Sequence, residues 1–246
     1  MGLQILNAIW DFFASLLCSL LGVCAQEACR DVAYAGAEHV ICSYAVKDVS
    51  IRLFLNDDDG QPYGGFSGLA ADLNATPLML MNGGMYHDDL NAVGLYVEQG
   101  NQSKSISTKG GWGNFHLLPN GVFWVKDGQV GITETKAFIK QGIEPDFATQ
   151  SGPMLVINNK LHPRFLKHSD SRKVRNGVGI SADGRKIHFA ISKGRVTFWE
   201  FGNLFKDHLK TPNALFLDGT VSAIKTKNHR RGGWRQIGPI IAVFAR

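Results

Sequence analysis

Apolar residues at Val49, Ile51, Leu53 and Leu55 alternate with other residues, the period of two expected of a half-buried strand over residues 49–55. Asp57-Asp58-Asp59-Gly60 then reads as a turn, with a calcium loop as the sharper alternative that lacks an EF-hand's ligand spacing. Phe66, Leu69, Ala70 and Leu73 recur at helical spacing and predict a short helix. From Leu78 onward the pattern turns to strands, with short apolar runs over residues 78–81 and 93–97. Three hairpins are predicted next. Residues 122–125 and 130–133 flank Asp127-Gly128, residues 155–157 and Leu161 flank Asn158-Asn159, and residues 178–181 and 187–192 flank Ala182-Asp183-Gly184-Arg185. Thr197 and Glu200 have capping-box spacing, Phe201, Leu204, Phe205 and Leu209 follow as a helical stripe, and Pro212 stops it. Residues 214–217 form a buried strand that delivers Asp218 at its end, and residues 237–244 close the chain as a last strand. Many hairpins, few helices and no βαβ alternation predict an α+β single domain of antiparallel or mixed β-sheets, its helices covering one sheet face.

Composition adds little to this picture except at the N-terminus. The chain has 246 residues, 44% hydrophobic and 19% charged, enough for one sizeable core. Residues 12–23 are an apolar run of signal-peptide length, followed by a plausible cut after Ala25. No Lys or Arg precedes the run, and Asp11 stands where positive charge is expected. An uncleaved membrane anchor and a misassigned start are therefore the alternatives to a leader over residues 1–25 and a mature domain over residues 26–246. A leader makes the protein exported, periplasmic or secreted, and an uncleaved leader would be its only tie to a membrane. It would also leave Cys29 and Cys42 as the mature cysteines. An even pair in an exported chain points to a disulfide, with two buried thiols as the alternative. The formal charge is +5, and loss of residues 1–25 removes Asp11 alone among charged residues, giving +6. A basic surface suits an anionic partner.

The common catalytic signatures are absent from the sequence: no GxSxG elbow, P-loop, HExxH or paired CxxC motifs. No cofactor is expected. His87-Asp88-Asp89 reads as a polar loop, with a divalent metal as the alternative. Lys225, Lys227, Arg230, Arg231 and Arg235 beside Trp234 carry the features of a single-strand grip. Export and the ordinary character of a basic loop argue against nucleic acid as the partner.

Three glycine-bearing strings carry more. They are Met81-Asn82-Gly83-Gly84-Met85-Tyr86, Gln150-Ser151-Gly152-Pro153-Met154-Leu155 and Leu217-Asp218-Gly219-Thr220-Val221-Ser222. With Gly113-Asn114-Phe115, residues 119–123 and Arg175-Asn176-Gly177-Val178-Gly179, in this order, the chain resembles the phosphodiester glycosidase family, and most closely its exported bacterial branch. It departs from that branch at Thr220, where a second glycine is frequent. The resemblance implies a glycosyl-phosphodiester or anionic glycan as substrate, because the family's better-known member removes N-acetylglucosamine from a phosphodiester-linked cap on mannose.

The chemistry of such a linkage sets its own requirements. Cleavage at the anomeric carbon develops positive charge on the sugar and a second negative charge on the departing phosphate. Asp218 is the candidate nucleophile or base, with a turn cap as its ordinary role. Arg175 is the candidate phosphate clamp, with an ion pair as its ordinary role. Backbone amides around Gly83, Gly84 and Gly152 are expected to hold the phosphate or a polar sugar face, and Asn82, Gln150, Ser151 and Ser222 to contact the substrate. Phosphate leaves readily, so Glu98 and Asp88 are only weak candidates for a second carboxylate. A non-catalytic binder of anionic envelope glycan is the competing class.

Overall fold

The computed structural model describes residues 29–219 and 221–246. The expected leader over residues 1–25 lies outside the described residues. Two strands open the described chain, β1 (Cys29–Tyr34) and β2 (Ala37–Ala45), followed by β3 (Val49–Phe54), α1 (Phe66–Asp72), β4 (Met79–Asn82), β5 (Tyr96–Glu98) and β6 (Asn101–Lys104). The middle third holds β7 (Gly121–Lys126), β8 (Gln129–Glu134), α2 (Thr135–Gln141), β9 (Phe147–Ser151), β10 (Met154–Ile157) and β11 (Lys160–Leu161). The last third holds β12 (Asn176–Ile180), β13 (Lys186–Ser192), α3 (Phe198–Asn203), β14 (Asn213–Asp218), β15 (Ile224–Thr226), β16 (Arg230–Arg231) and β17 (Ile240–Ala245).

These strands form a seven-stranded sheet, β1-β2-β13-β12-β14-β10-β11, and two five-stranded sheets, β16-β15-β4-β17-β3 and β6-β5-β9-β7-β8. Every pairing among the described strands is antiparallel. The α+β expectation holds, and of its two sheet types the antiparallel one is present. The inner faces of all three sheets meet in one core: Val178, Leu215 and Leu217 from the large sheet, Leu53, Met79 and Ile241 from the second, Tyr96 and Phe123 from the third.

The helices do not gather on one face as expected. α3 packs Phe201, with Phe205 just beyond it, against Ile41 and Phe216 of the large sheet. α1 places Phe66 and Leu69 on Leu80 and Ala242 of the second sheet. α2 sets Phe138 on Val122 and Ala148 of the third. Each sheet carries apolar side chains on both faces, so each outer face needs its own cover.

Local signals explain most of the elements. Asp127 and Gly128 have φ of 50° and 73°, and Asn158 and Asn159 of 47° and 65°, the left-handed pair that a two-residue hairpin needs. Both halves of the capping box at Thr197 and Glu200 are made. Asp57 Oδ1 accepts from the amides of Asp59 and Gln61, which makes that acidic run a side-chain-stabilised turn. The last strand starts at Ile240 rather than at residue 237, directly after Pro239, which has no N–H to give to a ladder.

Cys29 and Cys42 face each other across β1 and β2 and are joined in a disulfide, as the cysteine pair predicts. Closing a loop of this size contributes about 3 kcal/mol in the chain-entropy model. It ties down the first described strand, an edge of the large sheet.

Two histidines beside this hairpin make the fold acid-sensitive. Burial, and secondarily the charge of His208, pushes His39 down to about 4. Burial, and secondarily Lys186, pushes His188 down to about 4, where its Nδ1 lies 2.8 Å from Ser43 Oγ. Both rings are neutral in the fold, while the unfolded chain takes up protons near pH 6.5. Stability is therefore level above about pH 6.5 and falls by a few kcal/mol as the pH drops toward 4. Urea unfolding at a series of pH values measures this, and His188→Gln should flatten the slope.

Candidate active site

The site is built where β14 ends beside β12. The two strands shift register between Asn176 and Gly177, so that Asn176 pairs with Asp218 and Gly177 with Phe216. Asn176 is fully buried, and its side chain reaches across to the second sheet. Its Nδ2 donates to Asn82 Oδ1 at 2.8 Å and to Asn82 O at 3.1 Å. Its Oδ1 accepts from the Asp218 amide at 2.8 Å. Asn82 Oδ1 accepts a second bond, from the Ala223 amide at 2.8 Å. Ser222 Oγ donates to Asp218 O at 2.7 Å, and Ser151 Oγ donates to Leu217 O at 2.8 Å. The three glycine-bearing strings thus meet, through side chains, around one strand end.

Asp218 is almost wholly buried, at 9% exposure, and its Oδ1 accepts from the Gly219 amide. Burial first, and then the Asp218 charge, raises the Tyr86 phenol above its ordinary pKa. Tyr86 stays protonated and donates to Gln236 O at 2.9 Å. The first string therefore sends Asn82 to Asn176, which seats the Asp218 amide, and Tyr86 within range of the Asp218 charge. Gly84 is required by space, because a Cβ there would overlap Thr149 Oγ1 and lie 2.9 Å from Gln150 O.

Among the described residues, three buried donors in this region make no hydrogen bond: Asn82 Nδ2, Arg175 Nη1 and Thr149 Oγ1, the last against Gly84. Such groups are costly unless something else satisfies them. Arg175, one residue before Asn176, is 1% exposed. Its Nε donates to Val196 O at 2.9 Å and its Nη2 to Ser171 O at 3.0 Å. The guanidinium lies over the Phe198 ring, 3.5 Å from its centroid. Burial pushes Arg175 down to about 10, with Glu200 opposing the shift, so it remains a cation at neutral pH.

Other expected contacts are arranged differently. Gln150 is buried, and its amide is fully engaged: Oε1 accepts from Leu95 N and Ser107 N, and Nε2 donates to Ser107 O and Thr135 Oγ1. That exhausts the capacity of a side-chain amide, so Gln150 holds the loop around Ser107 and has no group left for a sugar hydroxyl. The Gly83 amide donates to Pro239 O at 2.6 Å, which removes it as a phosphate donor. A Cβ on Gly152 would stand 2.6 Å from Asn120 Cβ, so this glycine serves close packing against the loop before β7. Glu98 accepts from Tyr96 Oη at 2.9 Å on β5, in the third sheet. Asp89 binds Asn91 through backbone and side chain, as a turn does. Among the described residues no three His, Cys, Asp or Glu side chains cluster to hold a metal.

The strand end opens onto a cleft of about 640 Å³ walled by Val174, Gly219, Ser222, Arg230, Arg231 and Trp234 among others. The basic segment that reads as a loop in the sequence is a hairpin, β15–β16, on the edge of the second sheet. Its arginines stand beside Asp218's strand end, a role that charge alone did not disclose. Asn176 was equally hard to see as a site residue; its signal is an amide in an otherwise apolar strand.

Residues 76–244 match the family model for phosphodiester glycosidase. The chain is 35% identical over 230 residues to the uncharacterized protein YigE of Escherichia coli (strain K12), covering 92% of this chain and 88% of that one. Among solved structures it is similar to the zebrafish N-acetylglucosamine-1-phosphodiester alpha-N-acetylglucosaminidase catalytic domain auto-inhibited by its pro-peptide, with a TM-score of 0.58, 15% identity and coverage of 89% and 82% of the two chains. A Burkholderia pseudomallei K96243 protein, named for its expected export, aligns with a TM-score of 0.57 at 10% identity over 85% of this chain and 74% of that one.

Proposed function

The chain belongs to the phosphodiester glycosidase family, and on that footing we propose that it is an exported hydrolase that cleaves the glycosidic bond of a sugar-1-phosphodiester. Water adds to the anomeric carbon, the bond from that carbon to the phosphate oxygen breaks, and the phosphate leaves with the electron pair as a monoester. Asp218 acts as the carboxylate at the sugar, as nucleophile or as base toward water. Arg231, on the cleft wall beside Gly219 and Ser222, offsets the second negative charge that develops on the phosphate. Arg175 Nη1 and Asn82 Nδ2 are buried donors without partners among the described residues, and they serve the oxygens of the substrate. The convergence of the three glycine-bearing strings on Asp218 is the observation that carries this reading. The disulfide between Cys29 and Cys42 supports export.

A time course with a small panel of glycosyl-1-phosphodiesters, with and without chelator, tests the proposal. Proton and phosphorus spectra should show free reducing sugar and phosphomonoester appearing together. Saturable binding without product would instead assign the cleft to a non-catalytic binder of anionic glycan.

A further inference from the structure

The cleft beside Gly219 and Ser222 does not end with the cations needed for one phosphate. A second hollow of about 310 Å³ adjoins it, and the two share Arg230 and Trp234 as walls. The second hollow runs on past Lys225 and Arg235 to the glycine-rich turn at residues 64–68 before and into α1. Neither hollow has an Asp or Glu in its wall, and Asp218 adjoins the first only through the next residue, Gly219. None of Lys225, Arg230, Arg231 or Arg235 belongs to an ion pair among the described residues. Lys225 and Arg230 are directly opposite each other across β15–β16, so their side chains share a face. Like charges in that position destabilise a sheet unless an anion lies between them. Trp234, between the two hollows, is 94% exposed.

A sugar-1-phosphodiester brings a single negative charge, whereas this trough presents four cations and an open indole. We propose that the trough receives the leaving-group side of the substrate, and that this side carries further phosphate groups: the substrate is an oligomeric, polyanionic phosphoglycan rather than a diester of a neutral alcohol. This rests on the hydrolase reading above and specifies its substrate. The phosphates beyond the cleaved one lie against Arg230, Lys225 and Arg235, and a sugar or polyol unit between them lies on Trp234. Single-stranded nucleic acid offers the same alternation of charge and ring. The phosphoglycan is favoured because the trough begins at Gly219, the residue after Asp218.

The test compares two substrates with the same sugar-1-phosphodiester, one with a methyl aglycone and one whose aglycone bears two more phosphates. The expected kcat/KM ratio favours the longer substrate by about tenfold or more at low ionic strength, and it collapses toward one near 0.5 M salt, where screening is short-ranged. In the double variant Lys225→Gln, Arg235→Gln the ratio should fall to near one. A ratio near one in the unmodified protein, or an unchanged ratio in the variant, overturns the inference while leaving the hydrolase reading standing. Should neither substrate turn over, the hydrolase reading fails, and calorimetry with linear tripolyphosphate decides the trough by itself. The double variant should bind it about tenfold more weakly, and equal affinity overturns the inference. Tighter binding of a single-stranded oligonucleotide than of a phosphoglycan of equal charge also overturns it.

Discussion

Asp218→Asn should lower turnover of a sugar-1-phosphodiester by at least about a thousandfold, some 4 kcal/mol of transition-state stabilisation, and leave the fold almost unchanged. The substitution keeps the shape and an acceptor for the Gly219 amide. It also leaves intact the backbone bonds through which Asp218 is seated, from its amide to Asn176 Oδ1 and from Ser222 Oγ to its carbonyl. What it removes is the negative charge at the end of β14, which a developing oxocarbenium centre needs. Asp218→Ala would remove both the charge and the side-chain acceptor, and so should lose stability as well as activity. Release of reducing sugar gives the rate, and thermal unfolding gives the stability. A rate loss under about tenfold in Asp218→Asn would assign Asp218 to turn capping alone.

The outer frame of this fold is legible because its signals are local. Left-handed pairs at Asp127-Gly128 and Asn158-Asn159, a capping box at Thr197 and alternation through residues 49–55 each settle one element without reference to the rest. The strand that ends in Asp218 is legible for the same reason. β9 is not, because its sequence Phe147–Ser151 shows no apolar alternation, yet Thr149, Gln150 and Ser151 are all buried. The polarity of Gln150 and Ser151 is absorbed by bonds to residues 40 to 70 positions away, such as Ser107 and Leu217, and no window along the chain displays those partners. The same limit applies to the site. The glycine-bearing strings do meet at one strand end, but which polar atom faces the cleft and which supports a neighbour depends on tertiary contacts. Gln150 proves to be a strut, and β15–β16 proves to be a wall.

Arg175 is the residue for which these two roles have the most different consequences, and its substitution should have the second large effect. As a surface clamp it could be removed without harm to the fold. It is the largest fully buried side chain among the described residues, and it joins three pieces: Ser171 before β12, Val196 after β13, and Phe198 at the start of α3. Its own amide donates to Ser192 Oγ, and its carbonyl accepts from the Ser192 amide. Arg175→Ala therefore empties a packed site, removes the side-chain donors to the Ser171 and Val196 carbonyls and removes the cation over Phe198. The expected cost is about 3–5 kcal/mol, or roughly 10 °C in Tm for a chain of this size, together with loss of activity because Asn176 is the next residue along. Arg175→Lys keeps the charge but not the planar fork or the stacking. It should fold with a smaller loss and still drop kcat/KM by about tenfold or more, since a single ammonium does not fill the positions of Nε, Nη2 and the unpartnered Nη1 at once. Thermal unfolding and kcat/KM measured on both variants separate the roles: an unchanged Tm in Arg175→Ala would refute the buried keystone, and wild-type kcat/KM in a folded Arg175→Lys would show that Nη1 serves no oxygen of the substrate.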